Sequence, residues 1–237
     1  MSSSARLTLW LRCGVDGVRP CGDPSSHYLF MLLLLKAKTD PRLKFDVRTL
    51  NESKPPPEFR ETGARRAPAL QVSEETAFSH EDDILEEIDC YEPTKCSDED
   101  AENAIADLFR SFAFYIKDVK DSKGLSTELY RLDEYLSANE HKFLSGDEVT
   151  SLDCLLLPRL HSIRIAAKAL KDYDFPSDLT HVKRYLNNGY QLDMFRTSCP
   201  CDQEIILHWI DRPGTTPICS AKRSQISRQE PKYSFSI

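Results

Sequence analysis

Alternating apolar and polar positions at the start of the chain predict a strand, a helix and a second strand. Leu7–Arg12 alternates only partly, as a strand buried on both faces does, and Lys44–Leu50 alternates along its length. Between them, Asp23-Pro24 supplies a capping carboxylate and a proline at the first helical position, and an apolar run follows. Because a helix connects them, the two strands are predicted to be parallel.

The next stretch predicts one more strand and two helices. A proline-rich segment leads into a short helix at Glu58–Thr62, and Pro68 stands just before a strand at Ala69–Ser73. An acidic helix is expected at Glu81–Asp89. We expect these elements to form a first domain over residues 1–94.

From Ser97 onward the periodicity is helical. Ser97 is the predicted cap of one helix whose apolar stripe reaches Ile116. Thr150-Ser-Leu-Asp153 is a capping box, and it opens a helix that is apolar on most faces and is therefore predicted to be the central buried one. Further helices are expected near Ser126–Ser137, Pro176–Asn188, Leu192–Thr197 and Asp202–Asp211.

These helices predict an all-helical second domain over residues 95–210. Residues 211–237 have no apolar periodicity and carry five basic and two acidic residues. We expect this last stretch to be a flexible basic tail.

Charge and hydrophobicity exclude several classes of function. The chain has 31 Lys and Arg against 38 Asp and Glu, a net charge of −7, whereas nucleic-acid binders depend on clustered cations. No nucleic-acid partner is therefore expected.

The longest apolar run, Tyr28–Leu35, is much shorter than the roughly 20 residues of a membrane span, and the first residues lack the apolar stretch of a signal peptide. We expect a cytoplasmic protein.

Cysteine and histidine spacing predicts no metal site. Eight cysteines in 237 residues are too sparse for a secreted chain held by disulfides, so most thiols should be reduced. There is no C-x-x-C pair, and the six histidines do not complete a zinc motif.

Five short motifs follow one another between residues 23 and 205. They are Leu29-Phe-Met31 after Asp23-Pro24-x-Ser26, Phe143-Leu-x-Gly146, Leu152-x-Cys154-x-Leu156-x-Pro158-Arg-Leu-His161, Arg184-Tyr185-Leu186 and Ser198-Cys199-Pro-x-Asp202-x-Glu204-Ile205. In this order they resemble the chloride intracellular channel family, with a closer resemblance to invertebrate, nematode-like members. The succession of elements is similar to that of a glutathione transferase. The resemblance implies an α/β thioredoxin-like N-terminal domain plus an all-α C-terminal domain, as a monomer in solution.

The resemblance also implies a second, membrane-inserted state. Members of the family are proposed to enter intracellular or plasma membranes through the region after the first strand and to act there as voltage-gated chloride channels. The implied partners are chloride, anionic membrane lipids and an unknown protein.

The corresponding membrane segment in this chain is residues 24–46. Its apolar core and the cation that follows are Tyr28, Leu29, Phe30, Met31, Leu32, Leu33, Leu34, Leu35 and Lys36. A charged residue at a helix centre costs about 2.5–3.5 kcal/mol, whereas Leu or Phe returns only about 0.3–0.6 kcal/mol. Since five more charged residues follow Lys36 in the segment, we expect this helix to be packed inside the resting protein. Insertion is then conditional on unpacking of the N-terminal domain.

A carboxylate occupies the position of the family's redox cysteine. Some members carry Cys-Pro-Phe-Ser at the start of the first helix, and the same four positions here are Asp23-Pro24-Ser25-Ser26. A carboxylate benefits from the helix dipole but cannot form a mixed disulfide. We therefore interpret Asp23 as a helix cap, predict no catalytic residue and give the nearby Cys21 little weight as a substitute.

The resemblance places a ligand cleft around the same helix start. Glutathione binding there is doubtful, because Glu81 would bring an anion close to the carboxylate of a bound peptide, and no other cofactor is expected. Arg65-Arg66 could hold an anion near this cleft, although a surface pair is the commoner explanation. The candidate cleft residues are Asp23, Pro24, Ser26, Pro68 (the implied cis-proline), His80 and Glu81.

Three classes of function remain open at this point. The first is a chloride-channel-like protein that exchanges between cytosol and membrane, which the resemblance implies. The second is a non-catalytic module that uses the fold as a binding scaffold, which fits the residues alone. The third is a glutathione-dependent oxidoreductase, which lacks its nucleophile here.

Overall fold

The computed structural model describes residues 6–117, 121–139 and 141–237. In this part of the chain one sheet contains four strands: β1 (Leu7–Arg12), β2 (Phe45–Leu50), β3 (Ala69–Ser73) and β4 (Thr76–Phe78). The strand order is β2-β1-β3-β4, with β1 parallel to β2 and antiparallel to β3. The predicted parallel pair is therefore confirmed. The sequence did not indicate β4, because three residues are too few for alternation to be visible.

Eleven helices occur in the described residues. They are α1 (Pro24–Thr39), α2 (Pro57–Glu61), α3 (Glu81–Ile88), α4 (Glu99–Ile105), α5 (Leu108–Ile116), α6 (Lys123–Ala138), α7 (Ser151–Lys171), α8 (Thr180–Tyr190), α9 (Asp193–Ser198), α10 (Asp202–Ile210) and α11 (Ser220–Ser227). The first three alternate with the strands, and the others follow one another without a strand between them. This is the predicted combination of a thioredoxin-like part and a helical part.

The central helix α7 joins the two parts of the molecule. It begins at the predicted capping box, where the Asp153 carboxylate accepts a hydrogen bond from the Thr150 N–H at 2.8 Å. It packs against α1 on one side and α10 on another. One apolar core therefore runs from the sheet through α1 into the helices, and a smaller cluster around Trp10 and Phe59 covers the other face of the sheet.

The single helix predicted after Ser97 is two helices in the structure. Asp98, not Ser97, caps α4, because its carboxylate accepts a hydrogen bond from the Ala101 N–H at 3.0 Å. A short break at residues 106–107 separates α4 from α5. The predicted apolar stripe nevertheless stays buried, since Ile105 precedes the break and Phe112 follows it on the core side.

The prediction that residues 211–237 form a flexible tail is wrong. The stretch contains α11, whose Arg223 pairs with Asp211. The last eight residues, 230–237, lie against α10 and α7, and we call them the C-terminal strap. Its backbone is paired with the first turn of α10, where the Asp202 N–H donates to the Lys232 carbonyl at 2.8 Å.

Side chains hold the strap in addition to its backbone. The Asp202 carboxylate accepts hydrogen bonds from the Ser234 N–H at 3.1 Å and the Ser234 hydroxyl at 2.6 Å. Arg164 donates to the carbonyls of Ser234 and Ser236. Phe235 packs among aromatic rings, with its centroid 5.8 Å from that of Tyr190. One aromatic anchor and a few backbone hydrogen bonds order a segment whose polar composition predicts flexibility.

Candidate functional site

A cleft of about 360 Å³ opens at the N-terminus of α1. The end of β1, the start of α1, the loop before β3 and the end of α10 surround it. Its lining residues are Arg12, Cys21, Asp23, Ser26, Glu52, Arg66, Ala67, His208, Asp211, Arg212 and Pro213.

The loop between β1 and α1 is seated directly on α10. A Cβ at Gly22 would clash with the backbone of Glu204 and Ile205, so only glycine allows this approach. The Glu204 carboxylate also accepts a hydrogen bond from the Val15 N–H at 2.9 Å. This close packing brings the start of α1 to the far end of α10.

Asp23 caps α1 as predicted. Its carboxylate accepts hydrogen bonds from the Ser26 N–H at 3.2 Å and from the Ser26 hydroxyl at 2.9 Å, and Pro24 occupies the first turn. The other carboxylate oxygen is 3.8 Å from a terminal nitrogen of Arg212 and 4.0 Å from Nε2 of His208. The carboxylate is thus held by the helix on one side and faces a cation on the other.

His208 is a neutral side chain in this cleft at pH 7. Burial lowers its pKa to about 4, even though Asp23 favours the charged form. Its Nε2 is 3.2 Å from Nε of Arg212, whose N–H donates to it. The positive charges of the cleft are therefore the guanidinium groups of Arg12, Arg66 and Arg212.

His208 and Arg212 are two residues of this cleft that the sequence did not indicate. Their i, i+4 spacing indicates that they share one face of a helix end. Nothing in that spacing shows which element the face meets, because the contact with Asp23 joins residues far apart in the chain.

Cys21 lines the cleft but is not an activated thiol. The side chain is buried, and burial raises its pKa despite the neighbouring Arg12. A thiol needs a lowered pKa to act as a nucleophile at neutral pH. With a carboxylate at the start of α1 and a protonated thiol beside it, the cleft is poorly suited to thiol exchange.

The structure brings only some of the predicted cleft residues together. Pro68 has a cis peptide bond with Ala67, which lines the cleft. Arg66 also lines it, and His80 lies 3.2 Å from the Arg66 guanidinium. Glu81, in the first turn of α3, does not line this cleft. It lines a separate groove between α1 and α7.

The apolar helix α1 is packed between the sheet and the helical part, as expected for the resting protein. It ends at Thr39, and β2 begins at Phe45, so the predicted segment 24–46 is not one helix. In the part of the chain that the structure describes, no helix has both the length and the apolar character needed to cross a bilayer.

Lys36 is one of the charges in that segment, and it is 1% exposed. Its ammonium group donates to the carbonyls of Tyr91 at 2.9 Å and Pro93 at 3.0 Å, and it lies 3.5 Å from a carboxylate oxygen of Asp89. We call this arrangement the Lys36 clamp. It fastens the end of α1 to the segment that leads into the helical part.

Asp40 adds a second attachment next to the Lys36 clamp. Its buried carboxylate accepts a hydrogen bond from the Glu92 N–H at 3.2 Å and pairs with Arg42 at 2.6 Å. The hydrogen bonds from Arg42 hold the pKa of Asp40 well below its usual range. Three of the charges that oppose membrane insertion, Lys36, Asp40 and Arg42, therefore have structural partners in the globular form.

Among the described residues, no three His, Cys, Asp or Glu side chains are arranged to hold a metal ion.

The chain is similar to known proteins along nearly its whole length. It is 51% identical over 235 residues to the chloride intracellular channel exl-1 of Caenorhabditis elegans, covering 98% of this chain and 99% of that protein. No protein-family model matches the chain.

Solved structures share the same fold. The CLIC homologue EXC-4 from C. elegans matches with a TM-score of 0.82 at 24% identity, covering 98% of this chain and 89% of that one. Dehydroascorbate reductase from Chlamydomonas reinhardtii matches with a TM-score of 0.70 at 20% identity, covering 87% of this chain and 98% of that one. At these identities the likeness establishes the architecture alone.

Proposed function

Because this chain belongs to the chloride intracellular channel family, we propose that its globular form exchanges with a membrane-inserted form that conducts chloride. The globular form is a cytoplasmic monomer, and α1 is the segment that enters the bilayer. The name of the C. elegans relative supplies the ion. The structural observation that carries the proposal is that α1 is buried on nearly every face and holds an unbroken apolar run from Tyr28 to Leu35.

Burial on nearly every face distinguishes α1 from an ordinary surface helix. Its buried positions include consecutive residues from Ser26 to Leu29 and from Met31 to Leu33. A helix that is apolar on all sides belongs either in a protein core or in a membrane. The same residues serve the core in the globular form and would face lipid in the inserted form.

Insertion requires a rearrangement, because α1 alone is too short. Its 16 residues span about 24 Å at 1.5 Å per residue, while the hydrocarbon core is about 30 Å thick. The helix has to gain about four residues, from Thr39 to about Leu43, and so has to take up the loop that precedes β2. The Lys36 clamp and the Asp40 contacts have to open in the same step.

Anionic lipids favour this rearrangement. Lys36, Lys38, Arg42 and Lys44 all follow the apolar run, and a cation near an anionic bilayer surface gains about 1 kcal/mol. Once the Lys36 clamp has opened, these side chains can extend toward the headgroups while their stems stay in apolar surroundings.

The cleft does not favour a glutathione-dependent oxidoreductase as a second function. Asp23 cannot form a mixed disulfide, and burial raises the pKa of Cys21. The related fold of a dehydroascorbate reductase carries no activity to this chain, because the site lacks the nucleophile.

Flotation with liposomes tests the proposal. We expect the purified protein to float with vesicles containing phosphatidylserine at pH 5 more than at pH 7, with α1 protected from added protease. The variant Lys36→Met should float more than the wild type at pH 7, since its clamp is broken. Lys38 is exposed, so Lys38→Met is the matched control and should behave as the wild type. Absence of protein from the floating fraction under every condition would overturn the proposal.

A further inference from the structure

The C-terminal strap covers a small helix that in turn lies against α1. Residues 230–237 form neither a helix nor a strand. They are held by hydrogen bonds with Arg164, Asp202 and Gln203 and by the ring of Phe235. A short segment of this kind can open while the rest of the molecule stays folded. The residues beneath the strap therefore decide what its opening would release.

Phe235 joins the strap to α9. Its ring centroid is 6.0 Å from that of Phe195, and the guanidinium of Arg196 lies over the Phe235 ring at 6.0 Å. Phe195 and Arg196 are neighbours in α9, so the strap contacts this helix at two side chains. Because α9 has only six residues, it is too short to be stable alone and depends on the elements that pack against it.

The ring of Phe195 also supports α1. It is fully buried, and its centroid is 4.8 Å from that of His27 in α1. The helices α9 and α1 pack against each other. His27 is buried and directly precedes the apolar run Tyr28–Leu35. A single side chain, that of Phe195, therefore connects the strap with the start of the apolar run.

We propose that the C-terminal strap is a latch that keeps α1 in the globular form by holding α9 against it. Opening of the strap removes the contacts of Phe235 with α9, and α9 and the first half of α1 then open together. In the exchange with a membrane the latch is autoinhibitory, because α1 has to leave these contacts before it can enter a bilayer. The autoinhibitory role rests on the proposed function, whereas the coupling of the strap to α1 does not.

The alternative is that the strap only adds to the stability of the whole molecule. Phe195 also contacts His161 and Tyr190, with 5.5 Å between the ring centroids in both pairs, so α9 could keep its place without the strap. In that case α1 would open only when the whole molecule unfolds. Any variant of equal stability would then have the same effect on α1. A destabilising change far from the strap separates the two cases.

Amide hydrogen exchange of the full chain without membranes tests the coupling. Phe235→Ala should speed up the exchange of residues 27–33 in α1, and of α9, at least about fivefold at pH 7. Phe59 belongs to the cluster on the other face of the sheet, where its ring contacts Trp10. Phe59→Leu is the matched control and should leave the exchange of residues 27–33 as in the wild type. Urea denaturation of both variants shows whether they lose similar stability.

A second variant loosens the strap without touching the aromatic rings. The Ser234 hydroxyl donates to the Asp202 carboxylate at 2.6 Å, so Ser234→Ala removes this hydrogen bond. It should speed up the exchange of residues 27–33 in the same direction as Phe235→Ala. Ser236 is exposed, so Ser236→Ala is the matched control and should exchange as the wild type.

Two results of the exchange experiment would overturn the proposal. The first is unchanged exchange of residues 27–33 in both strap variants. The second is an equal increase in Phe235→Ala and Phe59→Leu, which would mean that α1 opens only with the whole molecule.

Flotation with phosphatidylserine vesicles at pH 7 tests the autoinhibitory role. Phe235→Ala should float more than the wild type, and Ser236→Ala should float as the wild type does. If the wild type floats at pH 5 but Phe235→Ala floats no more than the wild type at pH 7, the strap does not control insertion and the proposal is overturned. Faster exchange of residues 27–33 without flotation of any variant would instead overturn the proposed function and support the coupling.

Discussion

At the first turn of α1, a carboxylate caps the helix and leaves the cleft without a nucleophile. Asp23 uses one oxygen for the helix and turns the other toward Arg212. Both the helix N-terminus and the guanidinium stabilise negative charge at this point. Position 23 therefore has the electrostatic environment that would stabilise a thiolate. Its carboxylate, however, cannot act as a thiol nucleophile.

The variant Asp23→Cys should therefore create a reactive thiol. The helix dipole and Arg212 should lower its pKa, whereas burial raises the pKa of the native Cys21. We expect the introduced thiol to react with iodoacetamide at pH 7 at least tenfold faster than Cys21, as measured by mass spectrometry of the alkylated peptides. Equal reactivity of the two thiols would contradict this view of the cleft.

Lys36 shows how a charge can be part of a core. Replacing it with Met keeps an unbranched side chain that is one atom shorter and leaves the carbonyls of Tyr91 and Pro93 without their donor. An unsatisfied buried polar group costs about 1–3 kcal/mol. We expect Lys36→Met to lower the free energy of unfolding by about that much in urea denaturation.

The neighbouring Lys38 provides the control for this measurement. It is exposed, so Lys38→Met should change the free energy of unfolding by less than about 0.5 kcal/mol. Equal effects of the two variants would mean that the Lys36 clamp does not stabilise the globular form.

The C-terminal strap is ordered, although its polar composition predicts a flexible segment. Phe235 touches His161, Tyr190 and Phe195, and Phe195 in turn touches His27 of α1. The strap therefore covers an aromatic cluster that also supports the first helix.

Removing the aromatic anchor should release the strap. Phe235 is only partly buried, so Phe235→Ala should cost about 1–2 kcal/mol of stability, less than a change in the centre of a core. Amide hydrogen exchange of residues 230–236 should become faster. Tyr233 is 43% exposed, and Tyr233→Ala should leave exchange nearly unchanged. Unaltered protection in Phe235→Ala would show that backbone pairing alone holds the strap.

Local signals in the sequence were sufficient for elements that depend on their neighbours in the chain. The Asp23 cap and the Thr150 capping box act within one turn, and both were predicted at the right residues. The break between α4 and α5 and the order of the strap depend on contacts with distant residues. The approach of His208 to Asp23 also joins residues that are far apart in the chain. The pattern of apolar and polar residues gives no sign of such a contact.

Buried histidines make the whole molecule sensitive to acid. Burial lowers the pKa of His27 to about 3 and that of His208 to about 4, and it lowers the pKa of His161 well below its usual value. They belong to α1, α10 and α7, so the three charges would arise where the sheet part meets the helical part.

The direction of the pH effect follows from proton binding. Below the unfolded pKa of about 6.5, the unfolded chain binds protons at these histidines and the folded protein does not. Stability is therefore complete above about pH 6.5 and falls as the pH decreases toward the folded values. Burial raises the pKa of Asp153 and Glu204, and these two carboxyl groups offset part of the loss at the acidic end.

We expect the free energy of unfolding to be lower at pH 5 than at pH 7, with a slope of up to about 1.4 kcal/mol per pH unit for each histidine. Urea denaturation at several pH values measures this slope. His161→Gln should make it shallower, and the exposed His141 provides a control, because His141→Gln should leave it unchanged. A free energy that stays constant or rises on acidification would contradict the assignment.

Current through a planar bilayer tests the central claim most directly. Purified protein is added to one side of a membrane that contains anionic lipid, with a chloride gradient across it. We predict a current that reverses near the equilibrium potential of chloride, and Lys36→Met should produce it at a lower protein concentration than the wild type or Lys38→Met. No current at any pH between 5 and 7, or a current that reverses at the equilibrium potential of the cation, would contradict the account.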